Sequence, residues 1–206
     1  MTTRRCLLIR LERLEDFRRE VVRAAGHLLV AWHSPTLLPI GISLVQTRPD
    51  GRLSLLKNPA PGPVSLWDEM AVELGGLAIE QLVFGWNENS FIDLTKAVAK
   101  ADELRVLNCH GDSPWTDRPL TEELPADRIS VPSNKDDETL TVGWRRAVGI
   151  LLAHQRELEL LCIHLSVCSE ADLLETWRIL GRRPIVFPLF NLVVDVGRAI
   201  RARRNR

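Results

Sequence analysis

Residues 21–32 read Val-Val-Arg-Ala-Ala-Gly-His-Leu-Leu-Val-Ala-Trp, an apolar frame interrupted at Arg23 and, four residues on, at His27. No other stretch constrains the fold as tightly. Leu14, Phe17, Val21, Val22, Leu28 and Leu29 recur near helical spacing, which predicts a helix over about residues 11–32, ended by Ser34-Pro35. With 45% hydrophobic and 26% charged residues, the 206-residue chain can bury such a helix in a real core.

Further along, residues 38–46 read as a strand with Ile40, Ile42 and Leu44 on one face. The turn signal Arg48-Pro49-Asp50-Gly51 predicts a partner strand over 52–56. Ser65 is expected to cap a second helix, with Asp68 as its capping-box partner and Gly85 as its stop. A third helix is expected over 92–106, and a loop over 108–135, where Pro114, Pro119, Pro125 and Pro132 forbid long regular elements. Residues 138–164 carry one continuous helical period, and 169–180 read as a short capped helix. The expected class is mainly α with a small β-sheet (α+β): one domain over 1–182, then an apolar and basic tail over 183–206.

The blocks Ala25-Gly26-His27, Leu38-Pro39-Ile40, Leu74-Gly75-Gly76-Leu77-Ala78-Ile79-Glu80-Gln81-Leu82-Val83-Phe84-Gly85 and Asp93-Leu94-Thr95-Lys96-Ala97 follow one another in this order along the chain. Together they resemble the peptidase domain of the FtsH family, the M41 zinc metallopeptidases. A weaker likeness continues through 144–165 and 169–174. The resemblance implies an FtsH-type peptidase fold, helical with a short strand hairpin beside the metal helix. In that family a His-Glu-x-x-His helix supplies two zinc ligands and the general base, and a later Asp supplies the third ligand.

Here the second His position is His27 and the Asp position is Asp93, while the first-ligand position is Arg23 and the base position is Ala24. A guanidinium offers no lone pair to a metal, and a methyl group accepts no proton. The expectation is therefore a non-catalytic pseudopeptidase serving as a peptide-binding, regulatory or assembly module, with no cofactor, or zinc if any metal is retained. Removing a cation from beside a buried Asp93 would orphan its carboxylate, so Arg23 is expected to pair with it in place of zinc. Against this stands a diverged zinc endopeptidase using replacement ligands; His33, Cys109, His110 and Asp112 are candidates by type. Glu80 reads as a local polar contact, and His154 and His164 as surface or core residues of the late helix.

The resemblance also implies that peptide adds to the strand beside the metal helix, here Ile40, Gly41, Ile42, Ser43, Leu44 and Val45. Implied partners are a second copy of the chain, a full-length FtsH-like relative, and unfolded peptide segments. No Gly-x-x-x-x-Gly-Lys-[Ser/Thr] phosphate loop occurs, so no ATP binding by that route is expected. Lys plus Arg and Asp plus Glu balance at 27 each, which favours neither specific nucleic acid nor a membrane surface. Four cysteines without a CxxC pair, no apolar run of membrane length and no signal-peptide core make the cytoplasm the expected compartment.

Overall fold

The structure, a computed structural model, describes residues 13–44, 52–57, 63–85, 91–107 and 138–181. Expectations for Val45, Cys109, His110, Asp112, the 108–135 loop and the 183–206 tail lie outside these residues.

A 3-10 turn, Arg13–Asp16, precedes helix α1, Arg19–Trp32. The chain changes direction between them where the Phe17 N–H donates to the Leu14 carbonyl (3.1 Å), so the helix expected from residue 11 is two elements. Every residue of α1 from Val21 to Trp32 is buried, Arg23 and His27 included. Strands β1 (Leu37–Ser43) and β2 (Arg52–Lys57) form the expected antiparallel hairpin. Pro39 has no N–H for the ladder, and the register slips between Pro39 and Gly41, leaving Ile40 without a cross-strand partner and exposed.

Helix α2 (Pro63–Phe84) opens on proline and stops at Gly85, whose positive φ of 77° suits glycine. Packed along α1, it also contacts α3 (Phe91–Val106) and α4 (Glu138–Ala153). Its buried face includes Trp67, Met70, Leu74 and Ile79. Apolar burial of this extent is the main favourable contribution to folding, at about 25 cal/mol per Å². Ser65 and Asp68 do not form the expected capping box. The Ser65 hydroxyl instead reaches Glu69 (3.5 Å). Asp68 accepts from the Thr36 N–H (3.0 Å) and hydroxyl (2.7 Å) and from Arg146 (2.9 Å), tying the start of β1 and helix α4 to α2.

The single late helix is in fact two. α4 ends at Ala153, and α5 (Gln155–Cys168) starts again after His154, whose φ of −123° and ψ of 35° break the helical path. Beyond α5, Ser169 sits in the left-handed region and strand β3 (Glu170–Asp172) follows. Asp172 then caps helix α6 (Leu173–Leu180) by accepting from the Glu175 N–H at 2.8 Å. β3 pairs antiparallel with β1, giving the order β2-β1-β3. Gly41 permits this: a Cβ there would come within 3.0 Å of the Ala171 carbonyl oxygen.

The result is a mainly helical fold with a three-stranded antiparallel sheet. No described helix is long and apolar enough to cross a membrane.

Candidate functional site: a buried ion cluster

Two residues four apart on a helix share a face, so α1 aims Arg23 and His27 in one direction. Asp93 meets them from the first turn of α3, where the helix dipole favours a carboxylate. The Arg23 Nε–H donates to Asp93 Oδ2 at 2.8 Å, and Arg23 Nη2 lies 2.8 Å from the same oxygen. His27 Nε2 approaches that oxygen at 2.9 Å. Asp93 is fully buried, and Arg23 and His27 are almost so. The pairing of Arg23 with Asp93 expected from sequence is present.

Charges from α2 and α3 surround the cluster. Glu80 Oε2 lies 3.9 Å from Arg23 Nη1, and Glu80 Oε1 accepts from Arg19 at 3.5 Å, so Glu80 holds more than a local contact. Lys96 Nζ lies 3.8 Å from Asp93 Oδ1 and 3.6 Å from Glu73. The remaining ring nitrogen of His27, Nδ1, is 2.7 Å from the Val72 carbonyl on α2. Both ring nitrogens thus face acceptors, and only the imidazolium donates from both.

The electrostatics agree with that assignment. Burial alone would lower the His27 pKa, but the Asp93 charge and hydrogen bond outweigh it, with help from Glu73 and the Val72 carbonyl, and raise it above 6.5. Burial alone would raise the Asp93 pKa; His27 and then Arg23 overcome this and hold it at about 2. The two shifts give opposite pH limbs. Asp93 contributes stability that is present above its unfolded value of 3.8 and is lost as pH falls towards about 2, worth about 2 kcal/mol. His27 contributes stability that is present below 6.5 and is lost as pH rises through its raised value. The urea midpoint is therefore expected to fall below pH 3.8 and again above pH 6.5. In Asp93→Asn both limbs should flatten. A midpoint that climbs steadily above pH 6.5 would contradict a charged His27.

These residues do not fit a catalytic zinc. Such a site needs about three protein ligands and an open position. Here the Asp93 oxygen that would face the ion is already approached by three nitrogen atoms. Among the described residues, no third His, Cys, Asp or Glu joins His27 and Asp93 in a ligand-sized group. Ala24, at the base position, is buried and offers no proton acceptor.

The expected peptide edge is closed in its middle part, at Gly41, Ile42 and Ser43. Because β1 is the middle strand, Gly41, Ile42 and Ser43 are paired on both sides, with β2 and with β3. The Leu44 N–H donates to the Ser169 carbonyl (2.7 Å), extending the closure by one residue. A peptide cannot add at residues whose ladder groups are taken; β3 covers Gly41 to Ser43 of β1 and does not reach Leu37–Ile40. A hollow of about 620 Å³ does open at the sheet, lined by Gly41, Ile42, Ser43, His164, Cys168 and Glu175 among others.

A second polar group lies at the far end of α1, where His33, a sequence candidate, meets His154 and Glu157. The latter two were not expected there. Their i, i+3 spacing was the one available signal. No protein-family model and no curated protein matches this chain.

Proposed function

We propose that this chain is a non-catalytic, FtsH-peptidase-like domain in which the Arg23 guanidinium takes the place of a metal ion as counter-charge to Asp93. It acts as a binding, regulatory or assembly module, and not as a hydrolase. The observation that carries this reading is the Arg23–Asp93–His27 contact at 2.8 to 2.9 Å, buried beneath α2 and α3. A fixed cation neutralises the carboxylate and joins α1 to α3, as an ion would, but it can neither activate water nor polarise a carbonyl as a metal does. Unfolded peptide segments, as partners, would then rest on the hollow at the sheet, beside the part of β1 that β3 covers.

The test rebuilds the lost chemistry. Arg23→His combined with Ala24→Glu restores a His-Glu-x-x-His spacing with Asp93 as third ligand. Both the parent and this variant are made in a His154→Ala background, so that the group at the end of α1 cannot contribute. Restored zinc binding of about one equivalent, absent from the His154→Ala parent, supports the reading. Chelator-sensitive cleavage of casein by the wild-type chain would replace it with a diverged endopeptidase.

A further inference from the structure

His33 follows α1 directly, and His154 occupies the single non-helical position between α4 and α5. Their imidazole rings stack with centroids 3.8 Å apart and planes at 25°. Glu157, one turn into α5, brings Oε2 against His154 Nδ1. One nitrogen or oxygen from each of the three residues lies within 4.8 Å of the others, and all three side chains are half-buried.

Two features make this arrangement more than a chance meeting. The first is the break between α4 and α5. Nothing in Leu152-Ala153-His154-Gln155 requires it, because the stretch holds neither proline nor glycine. A continuous helix through residue 154 would carry His154 along the helical path; the interruption places it on His33 instead. The second is the field. α1 and α4 both end here and α5 begins here; the α5 N-terminus offsets the α4 C-terminus, which leaves the partial negative charge at the end of α1 facing the group. Two stacked imidazoles and a carboxylate in that field are a setting for a cation, whereas two protonated imidazoles in face-to-face contact would repel.

We propose that His33, His154 and Glu157 form a binding site for a divalent transition metal of zinc type, separate from the ion cluster at Asp93. Imidazole nitrogen suits Zn²⁺, Co²⁺ and related ions of borderline softness, and a single carboxylate supplies charge without converting the site to one for Ca²⁺ or Mg²⁺. Tetrahedral bonds of about 2.1 Å place ligand atoms about 3.4 Å apart, so an ion would replace the direct His154–Glu157 contact, spreading those two atoms while drawing in the most distant ligand atom of the group. The imidazole lone pairs lie in the ring planes, so the stacked rings must also turn for both nitrogens to face one ion; His154 and Glu157, both half-buried, are the side chains with room to do so. Three ligands leave a fourth position for water or a partner's side chain. His33 lies six positions after His27, about 9 Å along the helix axis, so the two sites are distinct.

The probes are Zn²⁺ and Co²⁺ alone, with the full chain dialysed against chelator and then titrated. Expected are about one equivalent of tightly held zinc, a rise in thermal midpoint on loading, and a Co²⁺ visible spectrum of four- or five-coordinate type. Glu157→Gln, which preserves shape, and His154→Ala should each weaken binding at least about tenfold. Arg105→Ala, at an exposed position on α3, should leave the affinity unchanged. Circular dichroism of the apo variants shows whether they keep the fold. The proposal is overturned if the wild-type chain binds no zinc. It is equally overturned if zinc binding survives both His154→Ala and Glu157→Gln but disappears in Cys109→Ser or His110→Ala.

Discussion

Asp93→Ala is expected to destabilise the chain by about 3–5 kcal/mol, the range for breaking a buried ion pair from one side. The magnitude follows from what is left behind. The Arg23 guanidinium is almost fully buried, with Glu80 at 3.9 Å as its nearest remaining counter-charge. His27 would shed its proton, and its Nε2 would then lack the acceptor now at 2.9 Å. Asp93→Asn keeps the volume and one acceptor oxygen, so its cost should be smaller, about 2 kcal/mol. Replacing both ends with apolar residues, Arg23→Met with Asp93→Leu, should recover much of the loss, because no buried charge is then orphaned. Urea unfolding of the wild type, Arg23→Met, Asp93→Leu and the double variant closes the cycle and gives the coupling. A cost below about 1 kcal/mol for Asp93→Ala would place this pair with surface salt bridges and remove the argument for a structural counter-ion.

The same cluster shows how far the sequence could be read. Arg23 and Asp93 are 70 positions apart, yet their pairing was legible, because a basic residue and an acidic residue stood at two positions where the resembled family places ligands of a common ion. The hairpin, α2 and α3 were likewise legible from period, turn chemistry and Gly85, although α2 starts at Pro63, two residues before the cap expected at Ser65. Strand β3 was not. It is three residues long, Glu170-Ala171-Asp172, too short to show alternation, and its pairing with β1 depends on the space above Gly41. That short strand nevertheless decides whether β1 is an edge. The break at His154 was hidden for a different reason: local propensity favours helix there, and the cause is tertiary, in the stack on His33. Asp68 illustrates the same limit. Its position three residues after Ser65 fits a capping box, but Thr36 and Arg146, distant in sequence, hold its carboxylate.

Gly76→Ala carries the second largest expected effect and tests the site from its apolar side. The glycine pair Gly75-Gly76 lies where α2 crosses α1, and a Cβ at Gly76 would stand 2.2 Å from His27 Nε2 and 2.5 Å from Cδ2. The ring cannot retreat without losing contacts at both nitrogens, the Val72 carbonyl at 2.7 Å and Asp93 at 2.9 Å. The backbones have no slack either, since a Cβ on the facing Gly26 would meet the Gly75 carbonyl oxygen at 2.8 Å. Overpacking of this kind costs about 1–3 kcal/mol, and the displaced hydrogen bonds of a charged ring add to it. The gain in helix propensity from glycine to alanine, about 1 kcal/mol, offsets only part. A net loss of about 2–3 kcal/mol is expected in urea unfolding. The cause is separable from a general helix–helix clash. In a His27→Ala background the obstructing ring is gone, so Gly76→Ala should become neutral or stabilising. A loss of equal size in both backgrounds would show that Gly76 spaces the helices without shaping the His27 site.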